Sequence, residues 1–170
     1  MPINAYNTPN AASSDTGGGM STNVYAGGIY ELAEDEAFYI EATFKGDPVY
    51  TSIHLGNMWG ESPDYANHQS SLNLHQMYMG PDRVQRWVVA HRDPGVQNWI
   101  DTTGLPKGYL SHRWAYSEIP DKSEWPSITG RVIPFDEIEN VFPDEQSRVT
   151  PDERPEAIRI RIRHRQNSLQ

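Results

Sequence analysis

The segment "EAFYIEATFKGDPVYTSIHLG", residues 36–56, decides the expected fold. In its first half, apolar residues occupy every second position, which is the period of a half-buried β-strand. These apolar residues are Phe38, Ile40, Ala42 and Phe44. After a Gly-Asp-Pro turn the alternation resumes. One face then carries Val49, Thr51, Ile53 and Leu55, and the other carries Tyr50, Ser52 and His54. The segment therefore predicts two successive strands joined by a tight turn.

Four further segments, residues 69–79, 84–92, 108–116 and 127–135, show strand-like patterns. In the third of them Leu110, His112 and Trp114 share one face. The segments are separated by turns rich in glycine and proline, and no helical period lies between them. Short strands at regular spacing are typical of antiparallel sandwiches and barrels. We therefore predict a mainly β fold, an antiparallel, jelly-roll-like β-sandwich with a C-terminal helix.

The chain divides into three parts. Residues 1–23 are polar and rich in Asn, Ser and Gly, which predicts a flexible N-terminal arm with its loosest point at the glycines 17–19. Residues 24–148 form the sandwich domain, and residues 149–170 a basic helix and tail. Thr150, Pro151 and Glu153 fit the N-cap, first-turn and capping-box positions of a helix. The run "IRIRIRHR" also alternates like a strand, and we prefer the helix because the capping signals agree.

Composition excludes several classes of function. The 170 residues include no cysteine, so disulfides and cysteine-ligated zinc are excluded. The formal charge of −9 disfavours binding to nucleic acid. The sequence contains no run of about 18 apolar residues, which is the length that a membrane-spanning helix needs. The N-terminus has no signal-peptide pattern, and we expect a cytoplasmic protein.

The stretch "RDPGVQNWIDTTGLPKGYLSHRW", residues 92–114, has two interpretations. In the structural one, Pro94 and Gly95 favour a turn. Trp99 is then a packing anchor for the whole turn from Asp93 to Gly104, with Arg113 and Trp114 beneath it. In the functional one, polar side chains grip a small ligand at a pocket mouth while an aromatic ring stacks on it. The candidate ligand-binding residues are Asp93, Asn98, Trp99, Asp101, Arg113 and Trp114.

The same stretch resembles the C-terminal DUF1214-type domain of bacterial proteins that often also carry a DUF1254 domain. The matching box consists of Asp93, Pro94, Gly95, Asn98, Trp99, Asp101, Thr102 and Gly104, followed by Arg113 and Trp114. A second match is the tail, with Val149, Thr150, Pro151, Glu153 and Arg154. The resemblance covers roughly residues 24–165. It implies a jelly-roll-like sandwich and names no reaction.

No motif in the sequence specifies a reaction. The six histidines lack the H-x-H or H-x-E spacing of a cupin-like metal site, and no G-x-S-x-G nucleophile elbow is present. We therefore expect no metal and no cofactor, and we disfavour a metal-dependent cupin-type enzyme. The preferred hypothesis is a module that binds a small polar ligand or a partner subunit. The alternative is a hydrolase or lyase with a pocket at the strand ends built around Arg113 and Asp101.

The C-terminal tail concentrates positive charge on an acidic protein. Its basic residues are Arg159, Arg161, Arg163, His164 and Arg165. Ile158 and Ile162, four residues apart, predict one face of a helix that docks on the sandwich. We expect this helix to contact its own chain, a second copy in a homo-oligomer, or a partner subunit, in preference to nucleic acid.

Overall fold

The computed structural model describes residues 1–11 and 20–168 of the chain, and within these ranges ten strands form two sheets. The strands are β1 Ala5–Tyr6, β2 Asn10–Ala11, β3 Asn23–Glu31, β4 Glu36–Thr43, β5 Tyr50–Gly56, β6 Ser71–Asn73, β7 Gln85–Ala90, β8 Trp99–Asp101, β9 Lys107–Ala115 and β10 Ser127–Pro134. The helices are α1, Ile138–Val141, and α2, Glu153–Asn167. Three single 3-10 turns lie at Lys122–Glu124, Phe135–Glu137 and Glu145–Ser147.

The two sheets differ in the number and order of their strands. Sheet A has the order β1-β3-β9-β5-β6, with β2 also paired to β3, and sheet B has the order β10-β4-β7-β8. All neighbouring strands are antiparallel except β7 and β8, which are parallel. The prediction of an antiparallel sandwich is therefore confirmed, with one parallel pair that the sequence pattern did not indicate.

The core lies between the inner faces of the sheets. Leu110, His112 and Trp114 of β9 are all buried on this face, as the alternation predicted. Trp87 of sheet B meets His112 of sheet A with ring centroids 4.6 Å apart. Thr51 of β5 is buried beside them, opposite Trp114 in the strand register. Large aromatic side chains thus fill the space between the sheets.

The outer face of sheet B is also covered. Residues 135–149 cross it, and Ile138 and Phe142 form a second buried cluster with Tyr39, Val88 and Trp99, among others. As a result residues 87–90 of β7 are buried on both faces of the sheet, and Arg86 alone in this strand is half-buried. The outer face of sheet A has no such cover among the described residues, and its strands alternate between buried and half-exposed residues.

The N-terminal segment differs from the expected flexible arm. Residues 1–11 contain β1 and β2, which both pair with β3. Tyr6 of β1 inserts its ring between the sheets, 5.2 Å from the His112 ring centroid and 6.1 Å from that of Phe38. The buried Tyr6 ring anchors this segment to the core, although the composition of the segment is mostly polar. The glycines 17–19 lie outside the described residues.

Two further strand predictions are corrected. The strand expected over residues 69–79 is reduced to the three residues of β6, because Asn73 begins a turn in which it accepts the backbone amides of Gln76 and Met77. Trp99, Ile100 and Asp101, expected within a turn, form β8 instead.

The C-terminal helix is present as predicted. The Glu153 carboxylate accepts hydrogen bonds from the Thr150 amide at 2.7 Å and from its hydroxyl at 2.8 Å, so the predicted contact between the two residues is present. The helix itself begins at Glu153 with Asp152 at the N-cap position, so Thr150 and Pro151 precede it and the predicted start is two residues too early. Pro155 is tolerated because it lies in the first turn, where backbone amides have no helical partner. Ile158 and Ile162 are half-buried, while Ile160 is exposed.

Candidate functional site

The predicted anchor, Trp99, is buried with 7% of its surface exposed. Its indole nitrogen donates to the Ala90 carbonyl at 3.0 Å, and the Arg154 guanidinium lies 5.2 Å above the ring. Arg154 also pairs with Asp93 at 2.8 Å. The structure therefore brings two of the predicted residues, Asp93 and Trp99, together through α2, and it supports the packing interpretation of Trp99.

Asn98 has a structural task at the neighbouring position. Its side-chain nitrogen donates to the Tyr78 carbonyl at 2.6 Å and to the Arg86 carbonyl at 2.8 Å, and its oxygen accepts the Tyr78 amide at 2.7 Å. A buried amide with three backbone partners fixes the position of the segment around Tyr78.

Asp101 is paired with a histidine. One carboxylate oxygen accepts the Thr103 amide at 2.8 Å, and the other lies 2.7 Å from the His68 Nδ1. The first contact stabilises the turn that follows, in which Thr103 and Gly104 have φ values of 55° and 80°. Glycine is the residue best suited to such a left-handed conformation.

Arg113 and Trp114 do not join this group. Arg113 lies on the open outer face of sheet A, 5.4 Å from the Tyr25 ring centroid, and Trp114 points into the core between the sheets. Trp99 belongs to the cluster on the other side of sheet B, so the expectation that Arg113 and Trp114 lie beneath it is wrong. Alternation along β9 sends its odd-numbered residues outward, away from Asp101 in β8.

A cavity of about 510 Å³ opens at the end of the sandwich beside Asn98. It lies between the turn at residues 80–84 and the segment that covers sheet B. The lining residues that concern the chemistry are Tyr78, Asp82, Val84, Arg86, Phe142 and Asp144. Its volume falls in the range of small-molecule sites, roughly 300–1,000 Å³. Its lining combines polar side chains with the apolar residues Pro81, Val84, Phe142 and Pro143.

The polar wall of this cavity presents acceptors. The Tyr78 hydroxyl donates to the Asp144 carboxylate, and this bond raises the pKa of Tyr78. Arg86 pairs with Asp82 at 2.7 Å, and the same hydrogen bond lowers the pKa of that carboxyl. Glu145, which also lines the cavity, has no ion pair within the described part of the chain. Both oxygens of Asp144 accept a hydrogen bond, one from Tyr78 and the other from the Gln146 amide, while Glu145 is exposed at the same cavity.

Sequence reasoning found Asn98 but missed Tyr78, Arg86 and Asp144. Tyr78 and Asp144 are 66 residues apart, and no spacing rule connects them. The available signal was the pair of Pro-Asp turns, "GPDR" at residues 80–83 and "PDEQ" at residues 143–146, since loops at the end of a sandwich commonly carry binding residues.

The interior of the sandwich contains a second polar group of residues. Both ring nitrogens of His112 are buried with no hydrogen-bond partner among residues 1–11 and 20–168, and so are the indole nitrogens of Trp87 and Trp114 and the Tyr6 hydroxyl. Burial, followed by the charge of His54, lowers the pKa of His112 to about 3. His112 is therefore a neutral core residue at pH 7.

The described residues contain no group of three His, Asp or Glu side chains arranged to hold a metal ion. None of their helices is both long and apolar enough to cross a bilayer. Three arrangements remain as candidates for binding or catalysis. They are the cavity beside Asn98, the His68–Asp101 pair and the surroundings of helix α2.

Comparison with known proteins adds fold information. No protein-family profile matches the chain, and no curated protein matches it. It is similar to the crystal structure of an uncharacterised protein from Burkholderia cenocepacia, with 27% identity over 80% of this chain and a TM-score of 0.68. A structure from Vibrio parahaemolyticus is 14% identical over 59% of this chain and 27% of that one, with a TM-score of 0.42. The chain spans 36% of the Burkholderia structure.

Proposed function

We propose that this sandwich is a binding module for a small amphipathic ligand that carries a hydrogen-bond donor, preferably an amine. The observation that carries the proposal is the cavity of about 510 Å³ beside Asn98, whose lining combines apolar side chains with the carboxylates of Asp82, Asp144 and Glu145. The membership in a DUF1214-type family that the sequence predicts is compatible with this function and does not specify it.

The chemistry of the walls selects the ligand class. Val84 and Phe142 offer apolar surface to a hydrocarbon body. Asp144 and Glu145 offer carboxylate oxygens, while the charge of Arg86 is already paired with Asp82. A cation that reaches these carboxylates forms charge-assisted hydrogen bonds, whereas an anion of the same shape meets repulsion. Selectivity for amines over carboxylates is therefore expected.

Isothermal titration with 2-phenylethylamine and 3-phenylpropanoate tests this selectivity. We expect saturable binding of the amine and none of the carboxylate. Asp144→Asn should weaken amine binding about tenfold or more, because one hydrogen bond to a charged group contributes about 1.5–3 kcal/mol. The asparagine still accepts the Gln146 amide, which Asp144 Oδ1 binds at 2.9 Å, so the turn is preserved.

Asp136→Asn is the matched control. Asp136 is exposed and does not line the cavity, yet its substitution changes the net charge by the same amount. Equal losses in the two variants would reduce the effect to general electrostatic attraction. Absence of saturable amine binding to the unmodified protein would refute the proposal.

The second candidate is a hydrolase or lyase, and the His68–Asp101 contact of 2.7 Å favours it. A carboxylate that orients an imidazole is the arrangement of a general base. Arg113, the other residue of the predicted catalytic pocket, lies on the outer face of sheet A and contributes nothing there. Hydrolysis of p-nitrophenyl acetate that is abolished by His68→Gln would support this candidate, and equal rates in both proteins would eliminate it.

A further inference from the structure

Helix α2 and the loop before β6 enclose a groove that is separate from the cavity beside Asn98. The groove consists of two cavities of about 350 and 360 Å³. Both are lined by Gln76, Ala157, Ile160 and Arg161, so Arg161 stands where the two meet.

Arg161 has hydrogen-bond partners but no counter-ion. Its guanidinium donates to the Ser71 carbonyl, to the Ser71 hydroxyl at 3.3 Å and to the Tyr65 carbonyl at 3.4 Å. Within residues 1–11 and 20–168, no carboxylate oxygen lies within 4.0 Å of it. Burial and the neighbouring charge of Arg154 lower the pKa of Arg161, although an arginine stays protonated. A partly buried cation with only neutral partners is electrostatically uncompensated.

The rest of the groove has the same sign of charge. The cavity of about 360 Å³ is lined by Arg161, His164 and Arg165 and by no Asp or Glu. In the other cavity the single lining carboxylate, Glu153, is engaged in capping Thr150. This concentration of positive charge occurs on a chain with a net charge of −9. An enclosed site of one sign focuses the field and attracts ions of the opposite sign.

The donors in the groove suit a small anion. A guanidinium offers two parallel N–H groups that match the oxygens of a carboxylate or a phosphate. Arg165 lies beside the Tyr65 ring, with 5.9 Å between its guanidinium carbon and the ring centroid. Ser71 and Asn73 of β6 line the same cavity. An anion between Arg161 and Arg165 also lies in reach of the hydroxyl and amide groups of these two residues.

We propose that the groove between α2 and residues 65–76 is a binding site for a small molecule with a carboxylate or phosphate group, held by Arg161 and Arg165. The small volume of the two cavities favours a small ligand over an extended polyanion, and the acidic remainder of the protein repels a nucleic acid. The site is independent of the proposed amine-binding cavity and shares no lining residue with it.

Titration of the full chain with inorganic phosphate and with citrate, at low and constant ionic strength, tests the proposal. We expect saturable binding of at least one anion, and the preference between them identifies the group that the site recognises. Arg165→Gln should reduce the affinity at least tenfold. Arg161→Lys, which keeps the charge but removes the planar fork, should reduce it as well.

Arg163→Gln is the matched control for Arg165→Gln. It removes the same charge from the same helix, but Arg163 is exposed and lines neither cavity. We expect less than a twofold change in affinity for this variant. Equal losses for Arg163→Gln and Arg165→Gln, or binding of both anions that never saturates, would overturn the proposal. Circular dichroism of each variant verifies that α2 is still formed, so that a loss of affinity is not a loss of the helix.

Discussion

The outer faces of the two sheets differ in what covers them. Strand β9 of sheet A alternates between buried inner residues and half-exposed outer ones, so Tyr109, Ser111 and Arg113 reach the surface. Strand β7 of sheet B has four consecutive buried residues, 87–90, because α1 and the neighbouring turns lie over it. The comparison shows that period-two alternation in a sequence identifies strands with one open face, and that it underestimates burial where a second layer is present.

The cover over sheet B is fixed by several different contacts. Arg92 lies 3.9 Å from the Phe135 ring centroid, and Val96 forms a bridge with Arg148. Gly95, with φ of 72°, turns the chain so that its carbonyl accepts the Val149 amide at 2.9 Å. The stretch between β7 and β8 is therefore part of the second layer. This explains why Trp99, at the start of β8, is buried on the covered side of sheet B.

The largest expected effect comes from breaking the covered face at Trp99. Trp99→Ala should lower the free energy of unfolding by about 3–5 kcal/mol, since deletion of a large buried aromatic side chain leaves a cavity. Urea denaturation measures the change. A loss below about 1 kcal/mol would show that the cover contributes little and that the two outer faces are energetically alike.

The second prediction concerns two histidines on opposite faces of sheet A. The pKa of His112 is about 3 in the folded protein, below the unfolded value of about 6.5. The unfolded state therefore binds more protons as the pH falls, and the stability present above pH 6.5 is lost on acidification. On acidification from about pH 7 to pH 5, this single group should lower the free energy of unfolding by about 2 kcal/mol. His112→Leu should remove that part of the pH dependence in urea denaturation.

His54 on the outer face of the same sheet is the comparison. Burial, followed by the charge of Arg113, also lowers its pKa, but its imidazole is only partly buried and accepts or donates a hydrogen bond with the Tyr109 hydroxyl at 2.8 Å. His54→Gln should therefore change the pH dependence less than His112→Leu does. The reverse order would mean that the inner histidine is accessible to protons in the folded state.

The smallest effect is expected on the open face. Arg113→Ala removes a side chain that lies over Tyr25 and forms no salt bridge within the described residues. An exposed cation–π contact contributes about 0.5–1 kcal/mol at most. Urea denaturation should show a change within that range, whereas a loss comparable with that of Trp99→Ala would reveal a cover on sheet A as well.

The sequence predicted the elements whose pattern is local. Alternation identified β4, β5 and β9, and the capping signals identified the presence of α2, although the helix begins two residues later than they indicated. It failed at β8 because a three-residue strand has too few positions to show a period, and its parallel partner is chosen by tertiary packing. It failed at Tyr6 because one buried ring in a polar segment carries no pattern.

The candidate sites were less predictable than the fold. Asn98 was found because it belongs to a turn with unusual composition, although its amide serves the backbone. The Tyr78–Asp144 and Arg161–Ser71 contacts join residues 66 and 90 positions apart. Such contacts depend on how the sheets and α2 pack. They cannot be predicted from the type or sequence position of either residue alone.

The segment before β6 links the two sheets through consecutive residues. The Ser70 carbonyl accepts the Leu55 amide of sheet A at 2.9 Å, while the Gln69 carbonyl accepts the Asp101 amide of sheet B at 3.0 Å. The Gln69 side chain adds hydrogen bonds to the Trp99 carbonyl at 2.7 Å and the Gln97 carbonyl at 3.0 Å. Because residues 69 and 70 form backbone hydrogen bonds with both sheets, the sheets can separate at this point only if those hydrogen bonds break. Asp101 belongs to an edge strand, yet its amide hydrogen should exchange with solvent deuterium as slowly as the amides of the central strands. Exchange at this amide is then expected only when the whole sandwich unfolds cooperatively.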